Sequence, residues 1–307
     1  VLANEQVLTD GTCERSGDLV ENREMEQWFY RITEYAQQLI DDLETVEWPE
    51  KVKLMQQNWI GRSEGAEFGL AIADIEGGKR QDLPPLHVYT TRPDTAFGMT
   101  FAVMSPEHPR VDELVTEENK SAVTSFQKEV SNRSEMDRLS SEGNIAKRGV
   151  PTGSFVINPF TNKPVPLFLA DYVLMNYGTG AIMAVPGEDQ RDWDFAIAHG
   201  CEIIRTVQPP EGFDGEAYTG DGLSINSDFL NGMQIKEAKE KAIQWLEDQN
   251  LGFHRVNYRL RDWLVSRQRY WGCPIPIIFC DECGEQPVSE NDLPVQLPDD
   301  VKFMPTG

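Results

Sequence analysis

Two polar stretches carry the residue types from which a reaction could be built. The first, Thr90-Thr91-Arg92-Pro93-Asp94-Thr95, packs three hydroxyls, a guanidinium and a carboxylate into six residues. Threonine hydroxyls both donate and accept hydrogen bonds, so the cluster suits a ligand rich in hydroxyls and amines, such as a ribose or an amino acid. The same residues also describe an ordinary strand end whose hydroxyls cap a turn. The second stretch spans 177–192 and reads Tyr-Gly-Thr-Gly-Ala-Ile-Met-Ala-Val-Pro-Gly-Glu-Asp-Gln-Arg-Asp. Asp189 and Asp192 lie three apart, which places both on one face of a helix, and the first turn of a helix favours negative charge. A strand end, a tight turn and a helix start make a place to hold a small polar ligand. No Ser-His-Asp or Cys-His set accompanies them. His87, His108, His199 and His254 are scattered and read as surface or packed side chains.

The elements that must position these stretches follow from periodicity. Residues 22–46 predict a helix, with Trp28, Ile32, Tyr35, Leu39 and Leu43 at spacings of three and four, Asn22 as N-cap and Pro49 beyond its end. Its aromatic stripe is expected to be core or interface packing. Gly61 and Gly65 flank a polar element read as a hinge into a new domain. Phe68, Leu70 and Ile72 then alternate with Gly69, Ala71 and Ala73, the pattern of a half-buried strand. Further strands are expected over 86–91, 100–104, 154–157, 165–169, 172–174, 181–185 and 203–207. Helices are expected over 107–147 in part, 189–199 and 235–249. This mixture has no regular βαβ repeat, so the fold class is α+β, a mixed-sheet or barrel-like domain with helices around it. The expected organisation is an N-terminal flank over 1–62, an inserted domain over 63–255 and a C-terminal flank over 256–307.

The 307 residues are 39% hydrophobic, enough for a sizeable core, and no run of about 18 apolar residues predicts a membrane span. The first residue is Val1, which suggests a fragment of a longer protein, and no signal peptide is visible. A net charge of -23 argues against broad sequence-independent nucleic-acid binding, which needs Lys and Arg on many phosphates. It leaves room for a local contact to a nucleic-acid end. The five cysteines, Cys13, Cys201, Cys273, Cys280 and Cys283, do not form a secreted disulfide framework, and a reducing cytoplasmic setting fits better. Cys280-Asp281-Glu282-Cys283-Gly284 is half of a zinc knuckle, whereas a structural zinc site needs four ligands. The segment 258–272 is basic and aromatic in an otherwise acidic chain.

Read together, these segments resemble bacterial-type leucyl-tRNA synthetase in the region of its editing insertion, connective peptide 1. The resemblance covers essentially the whole chain. It is carried by residues 1–7, Asn58-Trp59-Ile60-Gly61-Arg62-Ser63, Thr90-Thr91-Arg92-Pro93-Asp94-Thr95, residues 177–186, Asp189-Gln190-Arg191-Asp192, and residues 262–272. Isoleucyl and valyl relatives share the Thr-Thr-Arg-Pro and Ser-Arg-Gln patterns. Asp94 and Ile182-Met183-Ala184-Val185-Pro186 favour the leucyl branch over an editing domain of those relatives. The family's His-Ile-Gly-His and Lys-Met-Ser-Lys-Ser signatures are absent, so ATP and magnesium belong to the parent synthetase alone, and zinc to the full-length enzyme.

The resemblance implies post-transfer editing, hydrolysis of the ester of isoleucyl-, valyl- or norvalyl-type tRNA(Leu), without a cofactor. Binding distinguishes such side chains by only about 1–3 kcal/mol, a limit for which aminoacyl-tRNA synthetases are the known case and a second, hydrolytic site the known remedy. It implies that Asp192 pairs with the substrate α-ammonium and that Thr90 and Thr91 contact the terminal adenosine and position water. Thr95 is implied to block the leucyl side chain and Arg92 to meet ribose or phosphate. Asp94, Tyr177, Met183 and Asp189 are placed around the substrate, with Asp189 as support or helix cap. Glu188 stands where relatives often carry His. The expected partner is the 3′ end of aminoacylated tRNA(Leu), with no membrane and a monomeric protein. A tRNA-end binding module, inactive by itself, is the alternative.

Overall fold

The computed structural model describes all residues except 1, 3–5, 9, 10, 21–24, 75, 132–147, 176, 177, 268–271 and 301–307. The centre is a seven-stranded mixed sheet in the order β3-β2-β5-β6-β4-β7, with β8 paired to β2. Its members are β2 (Ser63–Ala73), β3 (Leu86–Thr90), β4 (Phe101–Met104), β5 (Gly149–Asn158), β6 (Lys163–Ala170), β7 (Ala181–Ala184) and β8 (Gly252–Asn257). All pairs are antiparallel except β4 with β6. The sheet curls until β3 and β7, at the two ends of this order, lie against each other without a ladder between them among the described residues. The barrel-like expectation is therefore met in curvature and not in closure.

Strand alternation supplies both faces. In β4, Ala102 and Met104 enter one core with Phe68, Leu70, Leu86, Leu167 and Leu246, while Phe101 and Val103 enter another with Phe168, Tyr172 and Phe195. Successive side chains of a strand point to opposite faces, so a four-residue apolar run is what a strand covered on both sides requires. The first core is closed by α3 (Val111–Leu114), α4 (Lys120–Val130) and α6 (Ile235–Asp248), and the second by α5 (Gln190–His199). The small buried face of α6, Ala238 and Ala242, packs with Phe97 and Leu230. Ser63 opens β2 opposite Asn257, the last residue of β8, so the chain enters and leaves the sheet at one place.

Several expected elements differ. In place of one helix over 22–46, Phe29–Tyr30 forms β1 against β9 (Trp263–Leu264), and helical turns run from Ile32–Tyr35 through α1 (Ala36–Asp41) to Asp42–Thr45. Two of these turns are 3-10, whose tighter winding rotates a three-four spacing off a single face. Trp28, Tyr35 and Leu39 are exposed, and Ala36 and Leu43 are the buried positions, so the aromatic stripe is not core. Pro49 does not end that helix but stands at the N-cap of α2 (Glu50–Ile60), where its fixed φ suits a helix start. Gly61 closes α2 in the left-handed conformation. Residues 172–174 leave a turn at Tyr172 as irregular chain, not a strand, and 203–207 contains only an isolated bridge at Val207 to Ser224. The N–H groups of Thr206 and Val207 bond to the Glu188 carboxylate and not to a strand. Asn22 lies outside the described residues.

Candidate functional site

β3 ends at Thr90, and the 3-10 turn Pro93–Gly98 carries the chain from there to the start of β4. Phe101, the first residue of β4, pairs with Ala184, the last of β7. The C-terminal end of β3, the N-terminal end of β4 and the C-terminal end of β7 therefore share one rim. The two polar stretches, 82 to 102 places apart in the sequence, meet there because the sheet curls, and Glu188 of the second acts on Arg92 of the first.

The first stretch is tightly folded on itself. The Thr90 Oγ1 accepts from the Arg92 N–H at 2.9 Å, and the Arg92 carbonyl accepts from the Thr95 N–H at 3.1 Å and its Oγ1 at 2.9 Å. Arg92 donates through Nε and Nη2 to Asp94, a bidentate pair with distances of 2.8 to 3.1 Å. Burial opposes the Arg92 charge, but Asp94 holds its pKa above the usual guanidinium value, with Glu188 and Asp221 adding to the field. Asp94 and Thr95 are buried, while Thr90, Thr91 and Arg92 are half-buried. Asp94 thus sets the Arg92 side chain, and the accessible groups are Thr90, Thr91 and Arg92. A phenylalanine cluster anchors the turn from below, Phe97 packing on Phe160 at 5.4 Å and on Phe229 at 5.6 Å. Gly65 on β2 allows the close approach, since a Cβ there would overlap the Thr90 carbonyl.

The second stretch builds a buried acid. Asp189 is the N-cap of α5, its side chain accepting from the N–H groups of Arg191 and Asp192 at 2.8 and 3.3 Å. Burial works against its ionisation, yet Arg191 beside it holds the carboxyl below its usual range. Asp192, one turn inside, is only 3% exposed. Its Oδ2 accepts from the Val185 N–H at 2.8 Å and its Oδ1 from the Tyr172 hydroxyl at 3.1 Å. Burial, with the nearby charge of Asp189, pushes the Asp192 pKa up to about 7. The two carboxylates three apart are chemically distinct: one is a structural cap, and the other changes charge near neutrality.

Glu188 is buried at the same rim. Its Oε1 accepts from the N–H groups of Thr206 and Val207 at 2.6 and 3.1 Å, while Oε2 has no hydrogen-bond partner among the described residues, and burial raises its pKa. Met183 is buried in the first core, opposite Ala102. Tyr177 lies outside the described residues. Sequence reasoning did not single out Tyr172, whose partnership with Asp192 spans 20 positions, or Lys239 on α6, half-buried in the field of Asp94, Arg92 and Asp221. Periodicity carries no signal for either.

Cys280 ends β10 (Ile277–Cys280), and Cys283 precedes β11 (Gly284–Pro287) in a hairpin. Backbone N–H groups of Glu282 and Cys283, with the Cys283 thiol, lower the Cys280 pKa, as a thiolate ligand requires. Two thiols are half of a tetrahedral set, and among the described residues no group of three or more His, Cys, Asp or Glu could hold a metal. Among the described residues, Cys280 and Cys283 supply only half of the donor set that a structural zinc takes. No helix among the described residues is long and apolar enough to cross a membrane.

Comparison with known proteins agrees with the motif order. Residues 57–247 match the family model described as leucyl-tRNA synthetase, editing domain, and residues 224–297 match class I tRNA synthetases (I, L, M and V). A leucine–tRNA ligase of Synechococcus sp. (strain JA-2-3B'a(2-13)) is 51% identical over 326 residues, covering 100% of this chain and 36% of its own length. That of Elusimicrobium minutum is 48% identical over 307 residues, covering 100% and 35%. The chain spans about a third of the length of the curated relatives it matches. Among solved structures, the ternary complex of Agrobacterium radiobacter K84 agnB2 LeuRS, tRNA and LeuAMS superposes with a TM-score of 0.72 at 39% identity, covering 99% of this chain and 34% of that one.

Proposed function

The chain belongs to the leucyl-tRNA synthetase editing-domain family, and from that premise we propose that it hydrolyses the ester of non-cognate aminoacyl-tRNA(Leu). The observation that supports this most is the approach of the two polar stretches at one rim of the curled sheet, where Glu188, four residues before Asp192, acts on Arg92 of the threonine stretch. Ionised Asp192 pairs with the substrate α-ammonium. Each carboxylate oxygen accepts one bond in the structure and keeps a second lone pair for the substrate. In so water-poor a place the pair is stronger than at a surface. Thr90 and Thr91 hold the terminal adenosine and an attacking water. The water oxygen adds to the ester carbonyl, the bond to the ribose oxygen breaks, and that oxygen takes up a proton. Arg92, fixed by Asp94, meets ribose or phosphate. Thr95, Tyr177 and Met183 bound the amino-acid side.

The partner is the 3′ end of tRNA(Leu). The unit that does this work is the insertion over 63–255, with flanks returning to the catalytic half, and it acts in the cytoplasm as a monomer. ATP, magnesium and zinc serve the longer synthetase, where further donors would complete the half-site at Cys280 and Cys283. The test is deacylation of isoleucyl- and leucyl-tRNA(Leu) by the chain. Cleavage of the first and sparing of the second is expected. Equal inertness toward both, with binding of an aminoacyl-adenosine mimic retained, would leave a tRNA-end binding module instead.

A further inference from the structure

We propose that Tyr172 is a positioning residue for this hydrolysis, holding the Asp192 carboxyl in place and setting the pH range over which it is ionised. The inference rests on the reading of Asp192 as the ammonium anchor. Tyr172 follows β6 in a turn, is 4% exposed, and packs its ring on Phe195 at 5.9 Å. Its hydroxyl reaches Asp192 Oδ1 at 3.1 Å. The other donor to this carboxyl is the backbone N–H of Val185, which no side-chain substitution removes.

Among the described residues, the charged groups that act on Asp192 are Asp189 and Arg191. Asp189, the cap of α5, opposes its ionisation, and Arg191 in the first turn favours it. Among the described residues, the turn after β6 presents Tyr172, and the end of β7 presents the Val185 N–H. Burial and the neighbouring Asp192 keep the Tyr172 phenol protonated well beyond its ordinary range, so it remains a donor whether Asp192 is charged or neutral. A hydrogen bond to a charged acceptor is worth more than one to a neutral acceptor. The phenol therefore favours the carboxylate over the acid and lowers the pH at which the anchor becomes available. Two fixed donors on two oxygens also leave the carboxylate one orientation.

Tyr172→Phe keeps the ring and removes the donor. The full chain, labelled with carboxyl-13C aspartate, is titrated by NMR, with Asp192→Asn identifying the resonance. The Asp192 midpoint is expected to rise by about one pH unit in Tyr172→Phe. The acid limb of the blank-corrected pH profile for isoleucyl-tRNA(Leu) deacylation is expected to rise equally. Below neutrality the rate then falls about tenfold, and it recovers on the alkaline side. An unmoved resonance overturns the proposal, as does a rate loss uniform across pH with a lowered melting temperature, the mark of a packing role alone. A moved resonance with no deacylation by either protein keeps the hydrogen bond but overturns the proposed reaction, and the positioning role with it.

Discussion

Asp192 shows how one buried side chain sets function against stability. The unfolded chain releases this proton near the ordinary value of 3.8 and the folded chain near 7. Between those values the folded state binds the extra proton, so stability falls as pH rises through that window and the full cost is present above it. The carboxylate the reaction needs is thus the form the fold tolerates least. Asp192→Asn is expected to stabilise the chain at about pH 8, by at most roughly 4 kcal/mol, and to flatten its pH dependence. Chemical denaturation at two pH values reads this directly. The same variant is expected to lose deacylation of every aminoacyl ester. Thr95, fully buried with its hydroxyl on the Arg92 carbonyl, carries a different expectation. Thr95→Ala enlarges the amino-acid side and should let leucyl-tRNA(Leu) be hydrolysed. Sparing of leucyl-tRNA by this variant, with isoleucyl-tRNA still cleaved, would remove the steric role.

At the scale of elements, the rim depends on close approaches and a stacked helix. Gly65 faces the Thr90 carbonyl with no room for a Cβ, although its neighbours in β2 are ordinary strand residues. Gly65→Ala must push the end of β3 outward. It is expected to cost about 1–3 kcal/mol, the usual scale of overpacking, and to lower deacylation more than a comparably destabilising change far from the rim. Phe195 holds α5 to the sheet, stacking on Phe101 at 5.2 Å and on His199 at 4.1 Å. Phe195→Ala is expected to cost about 3–5 kcal/mol by denaturant unfolding. Because Asp192 is one turn upstream on α5, its hydrogen bond from Val185 should loosen as well, visible as faster amide exchange at Val185.

For the whole molecule, a net charge of -23 must be reconciled with a polyanionic partner. The reconciliation is local: Arg92 and Lys239 stand near the rim, while the acidic residues are spread over the chain. Few phosphates are then neutralised. The logarithm of tRNA affinity against the logarithm of salt concentration is expected to have a shallow slope, about -1 to -2, since each contacted phosphate contributes roughly -0.7 to -0.9. A slope near that of a basic nucleic-acid-binding protein would show that an extended tRNA surface is engaged. The flanks expose Trp28, Phe29, Tyr30, Trp59 and Trp263.

The sequence by itself determined six of the seven strands of the sheet, because alternation as in Phe68, Leu70 and Ile72 reports a buried face directly, and the α6 helix, because Ala238, Ala242 and Leu246 report another; β8, half-exposed along its length, carried no such signal. Motif order determined the family. It did not determine the helical turns over Ile32–Thr45, where pairing of β1 with β9 takes backbone groups that periodicity assigns to a helix. Nor did it determine that 203–207 is irregular, since the carboxylate that takes those N–H groups comes from Glu188, 18 positions away. The unequal chemistry of Asp189 and Asp192 was likewise decided only by the tertiary structure. Spacing makes the two carboxylates equivalent, but ionisation depends on distance from water and on partners, and those are fixed by where α5 meets β7 and Tyr172.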